Sequence, residues 1–389
     1  MSKKVLLLCD TYYPDKTSGA KLLFDLSGSL SKSNQILVIV ARNSNFSEIF
    51  NIPRIINKQN LKIIFIPCFK IKSHNYIIRG ISEFLMSFIL WYRSKRIVYK
   101  FKPTSVVVYS PSIFFGYFCS KIKKNFNVKS LCIMRDLFPY WAIEVGYIKN
   151  FFLKRFFIKI LNNFISNFNN IGLESKTNIK IMKSRFKNNF FYLPNWVDLK
   201  NFKFNKIKKN KKKLNFVFAG NIGGGQDIEK VLKFIALIPE DILNKFYIVG
   251  EGKTSYKIKR TNLLDFKNKI ILKKRVSQEN YIKFLKKMDI GIVSLNDKIK
   301  SVNFPGRLFS YLMANKPIIL LTEKNNELSK FVDSNQIGVN VSINKFSNKK
   351  FLRIKKINNK FKRNNLYAFN FLKKNFSLSK IITQIESNL

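Results

Sequence analysis

Apolar residues in this chain fall into two alternating patterns: short unbroken runs, and longer stretches where they recur every three or four positions. In the first half the runs at 5–9, 36–40, 61–66, 106–109, 130–134, 171–173 and 190–193 predict strands. Unbroken rather than alternating apolar strands are those of a parallel sheet covered on both faces. Helical periodicity fills the gaps. Leu22, Leu23, Leu26 and Leu30 share one face, and 77–101 and 113–124 read as helices. The clearest case is 147–168, where Leu153, Phe156, Phe157, Ile160, Leu161, Phe164, Ile165 and Phe168 form one stripe opposite Lys154, Arg155, Lys159, Asn162 and Asn163. That stripe is expected to face the core; flanked by Lys149, Lys154, Arg155 and Lys159, it also offers an anionic membrane surface a basic amphipathic face.

A stretch dense in Lys and Asn, 199–213, reads as a solvated linker. The same grammar then repeats, with strands expected at 214–219, 246–249, 270–272, 290–293 and 317–321 and helices at 277–287 and 306–314. The fold class predicted is α/β: two Rossmann-like doubly wound domains, 1–198 and 214–365, facing a cleft. A C-terminal helix, 366–389, is expected to pack back towards the first domain. Ligands of such sheets bind beyond the carboxyl ends of the strands.

The stretch FVFAGNIGGGQDIEKVL, 216–232, shows this junction most plainly. A strand stops at Gly220, three glycines follow (Gly223, Gly224, Gly225), and Ile228, Val231, Leu232 and Ile235 then mark an amphipathic helix. Glycines let the backbone turn sharply and lie close to a ligand. Bare amides at the helix start favour an anion such as phosphate. Neither G-x-G-x-x-G nor Gly-Lys-Ser/Thr is present, so dinucleotide and P-loop fingerprints are excluded; a tight turn without a ligand is the alternative.

Composition changes the picture only at one point. The 389 residues carry 72 Lys+Arg against 22 Asp+Glu, a formal net charge of +50. Such a field attracts nucleic acid or an anionic membrane. Lys, Asn, Ile and Phe are over-used together, however, which equally fits a composition bias spread over every surface, so charge alone assigns no function. No exposed aromatic–basic recognition module for nucleic acid is apparent. Cys9, Cys68, Cys119 and Cys132 sit singly in apolar stretches, as small buried hydrophobes of a reduced, cytoplasmic protein do. The single histidine, His74, excludes a His-based metal site and argues against a histidine general base. The run 5–9 is too short for a secretory leader and 84–91 too short to span a bilayer. Segment 81–102 sets Phe84, Leu85, Phe88, Ile89, Trp91 and Tyr92 beside Arg93, Lys95 and Arg96. This suits peripheral contact with an anionic membrane surface.

Seven segments in order, TYYPDKTSGAKLLFDL, YSPSIFFGYF, RDLFPYWAIEVGYI, LPNWVD, FAGNIGGGQDI, VGEG and PGRLFSYLMANKPII, together resemble the GT-B-fold, family 4 glycosyltransferases of bacterial surface-polysaccharide synthesis, and among them the WbuB-like branch. They cover most of 5–321, and RDLFPYWAIEVG with PGRLFSYL is the specific pair. The resemblance implies retaining transfer from a nucleotide-sugar donor, held by the second domain, to a lipid-linked or oligosaccharide acceptor held by the first. It implies O-antigen, capsule or exopolysaccharide assembly at the inner face of the plasma membrane. No cofactor is implied and no Asp-x-Asp metal motif is apparent.

Carried over residue by residue, the resemblance gives Asp136, just past a strand end, as an acceptor-binding or proton-accepting carboxylate. Helix capping or a salt bridge to Arg135 is its structural alternative, and Glu144 is the other carboxylate of that motif. Arg307, at a helix start, would clamp a diphosphate and stabilise the leaving nucleotide. The remaining donor-binding set is Gly19, Gly220, Asn221, Gly223, Gly224, Gln226, Glu251, Pro305 and Ser310. Gly19 and Glu251 read equally well as ordinary turn residues. Two departures stand out. Val302 and Ser310 occupy positions where many members carry a glutamate pair, and Ser110-Pro111-Ser112 replaces a loop that often holds a histidine.

Overall fold

Among the described residues fourteen strands are built, twelve where the apolar runs fall and two that the runs do not show. The computed structural model describes residues 2–15, 17–73, 75–202, 212–252, 255, 258, 269–274, 278–364 and 366–389. His74 and most of the expected linker, 203–211, lie outside the described residues. The chain divides into two compact units: Met1–Asn195 with Leu378–Leu389, and Trp196–Ser377.

The first unit contains β1 (Lys4–Cys9), α1 (Ser18–Leu30), β2 (Gln35–Ser44), β3 (Arg54–Lys58), β4 (Leu61–Phe69), α2 (Tyr76–Phe101), β5 (Ser105–Ser110), α3 (Gly116–Asn125), β6 (Lys129–Met134), α4 (Tyr140–Glu144), α5 (Phe151–Ile165), β7 (Asn170–Leu173), α6 (Lys176–Lys183) and β8 (Asn189–Tyr192). The sheet order is β3-β4-β2-β1-β5-β6-β7-β8, parallel except for β3, which pairs antiparallel with β4 at one edge. Leu6, Leu8, Leu37 and Ile39 point to the face covered by Phe118, Ile122, Phe164 and Ile165 of α3 and α5. Both faces are covered, so the central strands β1 and β5 are buried almost throughout and apolar between their ends, as the unbroken runs require.

The second unit contains β9 (Leu214–Ala219), α7 (Ile228–Ala236), β10 (Leu243–Val249), β11 (Ile270–Lys273), α8 (Gln278–Lys286), β12 (Ile290–Ser294), α9 (Gly306–Met313), β13 (Ile318–Leu321), α10 (Glu327–Ser334), β14 (Gly338–Val341), α11 (Asn348–Arg363) and α12 (Tyr367–Phe376). Its sheet, β11-β10-β9-β12-β13-β14, is parallel throughout. The last helix, α13 (Leu378–Ser387), returns to the first unit, where Glu386 accepts from Ser33 and Asn34.

Several boundaries differ from those the pattern suggests. The second unit starts at Trp196, because Val197 donates to the Phe376 carbonyl and Phe202 is buried in that unit's core. The C-terminal segment is two helices divided at Ser377, whose backbone is extended. Only α13 belongs to the first unit. The helix expected over 147–168 runs Phe151–Ile165, and only its second half is buried. Among the described residues no helix is long and apolar enough to cross a membrane.

Candidate active site

In the second unit the glycine turn is held from three sides. Gly220 ends β9 with φ of +120°, and Gly220 N–H and Ile222 N–H donate to the carbonyls of Val249 and Glu251. The turn after β10 thereby lies directly on the turn after β9. A Cβ on Gly250 would sit 2.0 Å from the Gly220 oxygen, and one on Gly252 would sit 2.2 Å from the Ile222 oxygen. Glu251, between them, is exposed and gives its backbone oxygen to the turn. From β12, Asn296 donates to the Gly224 carbonyl at 2.8 Å and Ser294 to that of Asp227 at 2.9 Å. Asp227 caps α7 by accepting from Lys230 N–H. Behind the turn, the nearly buried Lys230 ammonium bonds the Leu295 carbonyl and pairs with Asp297, which also accepts from Thr322.

Arg307 comes to this turn from α9, capped by Pro305. Its guanidinium carbon lies 4.3 Å from the centre of the Phe218 ring, and Nη2 donates to the Asn221 carbonyl at 2.7 Å. The side chain is 8% exposed, yet Nη1 has no partner. Burial lowers its pKa, and the phenols of Tyr311 and Tyr281 oppose that. A buried cation with a free donor beside a glycine turn is arranged to receive an anion. The Gln226 side-chain oxygen, in the same turn, is also buried without a partner. Asn221 keeps its side chain exposed, with Nδ2 against Gly223. Ser310 turns its hydroxyl back to the Gly306 carbonyl, and Val302 is buried in the core.

The position of α9 rests on Tyr311, which the sequence pattern does not single out. Its hydroxyl accepts from Ala219 N–H at 3.0 Å and lies 3.1 and 3.2 Å from the carbonyls of Val217 and Ile292, while its ring occupies the space beside Gly291. One phenol thus ties α9 to β9 and β12, and so places Arg307. Burial raises its pKa to about 12, with the Arg307 charge opposing.

In the first unit a second polar group gathers at the carboxyl edge of the sheet. Tyr109, at the end of β5, is buried with Arg135, Glu174, Asp136 and Asp10 within electrostatic reach; burial raises its pKa, Arg135 opposes that, and the three carboxylates add to it. Gly19, in the first turn of α1, leaves room for this phenol, since a Cβ there would lie 3.1 Å from the Tyr109 oxygen. Arg135 is 7% exposed and gives Nη1 to the Leu193 carbonyl at 2.7 Å and Nη2 to that of Pro194. Asp136 follows it, half-buried, ahead of α4; Glu144 is half-buried at the far end of α4. Glu174 is held by Asn195 at 3.0 Å. The Ser110-Pro111-Ser112 loop is pinned by Ser112 donating to Glu83, itself paired with Arg79.

Asp10 is the carboxylate that the pattern uses only as a strand stop. It leaves β1 beside Tyr109, and its Oδ1 is buried without a partner. Burial pushes the carboxyl up to about 6, Lys72 opposes, and Glu83 adds to the rise while Arg79 opposes. A charged, poorly satisfied carboxylate is costly, and groups of this kind concentrate at functional sites. Because the folded pKa lies above the unfolded 3.8, the native state holds more protons between pH 4 and 6. Stability should therefore fall as pH rises through that window. Asp10→Asn should resist denaturant better than the parent at pH 7.5, by on the order of 2 kcal/mol, and match it near pH 4. Denaturant titrations at both pH values check this; a difference independent of pH would contradict it.

Among the described residues no group of three His, Cys, Asp or Glu is placed to hold a metal ion. The four cysteines are free and buried.

Two parallel-sheet units of this order, with a glycine turn and a buried arginine at the carboxyl edge of the second, have the GT-B fold of glycosyltransferases. No family model matches the chain. In sequence it is similar to a protein of Pseudomonas aeruginosa described as probable glycosyltransferase WbjE, at 23% identity over 291 residues, 70% of this chain and 71% of that one. Among solved structures it superposes on sucrose-phosphate synthase of Thermosynechococcus elongatus with a TM-score of 0.72 at 11% identity, covering 98% and 97% of the two chains. HepE of Anabaena, in complex with UDP, gives 0.63 at 10% identity over 100% and 99%. WaaG, involved in lipopolysaccharide biosynthesis, gives 0.59 at 10% identity over 98% of each chain. Together these likenesses support a glycosyltransferase of the GT-B type.

Proposed function

We propose that this chain is a retaining, metal-independent family 4 glycosyltransferase of the WbuB-like branch. It moves a hexose, deoxyhexose or N-acetylhexosamine from a nucleotide-sugar to a lipid-linked saccharide, in O-antigen, capsule or exopolysaccharide assembly. It works in the cytoplasm at the inner face of the plasma membrane and uses no nucleic acid. The observation that carries the reading is the free Nη1 of buried Arg307 beside the glycine turn.

In this reading the donor diphosphate takes the Arg307 fork and the amides around Gly223 and Gly224. That HepE, a protein of the same fold, is crystallised in complex with UDP supports a nucleotide donor. The charge that develops on the departing nucleotide falls on a guanidinium already desolvated and fixed by Phe218 and Asn221, so no reorganisation is needed as the bond breaks. On the first unit, Asp136 binds the acceptor hydroxyl and accepts its proton, with Glu144 as the other candidate. Gly19, Gln226, Glu251, Pro305 and Ser310 complete the donor contacts proposed.

A second reading, a sugar-nucleotide-binding protein without transferase activity, draws on Val302 in the core and Ser310 bonded to its own helix, where many relatives carry glutamates. Transfer to polyprenyl-diphosphate-linked saccharide separates the two, and the proton NMR coupling of the new anomeric centre reads the stereochemistry. Product of unchanged anomeric configuration supports the proposal. An inverted product contradicts the retaining assignment; tight donor binding with neither transfer nor hydrolysis favours the second reading.

A further inference from the structure

Among the described residues, eighteen large hydrophobic side chains are exposed, and fifteen of them lie in the first unit. A composition bias would scatter them over both units, so their placement needs a cause of its own. The densest group is the start of α5. Phe151, Phe152, Leu153 and Phe156 are 61, 77, 50 and 49% exposed, and Tyr147, just before the helix, is 50% exposed. Three consecutive apolar residues cannot share one helical face, so this end of α5 presents apolar surface all round, and only its second half reaches the core through Leu161, Phe164 and Ile165. The stripe, for which the sequence favours the core, is therefore core in its second half only.

The charge around this end has one sign. From Val145 to Leu173 there is no acidic residue, while Lys149, Arg155 and Lys159 are exposed beside the rings. The Arg155 guanidinium lies 5.6 Å from the centre of the Phe151 ring. The cluster also continues inwards. Phe156 meets Phe157 at 5.4 Å between ring centres and Phe157 meets Phe138 at 5.2 Å, while Phe138 and Trp141, in contact with each other, lie in the loop and helix that follow Asp136.

We infer that the aromatic end of α5 is a docking surface for an anionic lipid bilayer, in which Phe151, Phe152 and Leu153 enter the headgroup region and the lysines and Arg155 meet lipid phosphates. Aromatic and apolar side chains ringed by Lys and Arg, with no acid to repel the headgroups, are what such an interface binds. The inference rests on the lipid-linked acceptor of the reading above and gives that acceptor's membrane a place on the chain, a short aromatic path from Asp136. Of the two segments that the sequence offers for such a contact, it favours this one over 81–102. In α2, Trp91 is 5% exposed and packs on Phe118, Phe88 stacks on Tyr117, and Arg93 is engaged by the carbonyls of Ile49 and Asn51. Among the described side chains of α2, Ile81, Phe84, Leu85, Tyr92 and Tyr99 remain outward, as a secondary contact.

Flotation of the full chain with vesicles of phosphatidylglycerol and phosphatidylcholine, and with phosphatidylcholine alone, tests this. The parent should float with the anionic vesicles and lose most of that binding in high salt. The triple variant Phe151→Ser, Phe152→Ser, Leu153→Ser should partition about tenfold less while melting at the parental temperature. Lys149→Glu with Arg155→Glu should remove the preference for anionic lipid. Unchanged partitioning in the triple variant, or equal binding of the parent to both vesicle types, overturns the inference. So does a parental dimer that the serine variant converts to monomer, which would assign the surface to a second copy. Nucleotide-sugar binding measured on the same samples keeps the two questions apart: its loss with vesicle binding intact would count against the enzymatic reading and not against this surface.

Discussion

Arg307→Met should weaken binding of the nucleoside diphosphate roughly 10- to 150-fold, the worth of a charge-assisted contact of about 1.5–3 kcal/mol, and leave binding of the bare nucleoside as it was. The asymmetry follows from how the guanidinium is used. Nη2 is committed to the Asn221 carbonyl and the plane rests on Phe218, so that part of the side chain serves the fold. Nη1 has no partner among the described residues. Turnover should fall further than donor affinity, because the leaving phosphate gains charge as the sugar departs. Arg307→Lys keeps the charge without the planar fork and should fall between the two. Calorimetry with diphosphate, monophosphate and nucleoside decides the matter: equal losses for all three would mean that the variant has damaged the turn and that the diphosphate lies elsewhere.

Asp136→Asn should depress turnover by about 10²–10⁴-fold and leave the donor's dissociation constant nearly unchanged. The residue stands half-buried at the carboxyl edge of the first sheet, immediately after an arginine whose guanidinium bonds the Leu193 and Pro194 carbonyls. Asparagine preserves the shape and removes the proton acceptor. Transfer at close to the parental rate would take Asp136 out of the mechanism. The next carboxylates to examine would be Glu144 on α4 and Asp10, the one with a buried oxygen still unpaired.

The strands that unbroken apolar runs mark are present in both sheets, because a parallel strand between two helical layers must be apolar on each side. What the pattern misses is the periphery. β3, Arg54–Lys58, is an antiparallel edge strand with Ile55 exposed, and β14, Gly338–Val341, is four residues with a glycine in it. Both lie at a sheet edge and hold only two large apolar residues each. The aromatic end of α5 misleads for a related reason: a helical stripe shows that a face is apolar, and not how much of it the rest of the chain covers.

In the site, local features are legible and long-range ones are not. The glycine turn and an arginine opening a helix are visible in a few consecutive letters. The tie from Tyr311 to Ala219 spans 92 positions and the Lys230–Asp297 pair 67, so no short motif contains them. Tyr109 and Glu174 likewise become neighbours only when β5 and β7 flank β6. Asp10 could have been found: a carboxylate at the carboxyl end of a fully apolar parallel strand stands where doubly wound folds place their ligands.

The most direct measurement of the central claim is binding and slow hydrolysis of a panel of nucleotide-sugars by the purified protein. The account predicts that one sugar-nucleotide binds well above the rest, is hydrolysed slowly without acceptor, and loses both properties in Arg307→Met. Binding of no nucleotide-sugar by folded protein, or binding that Arg307→Met leaves untouched, would contradict it.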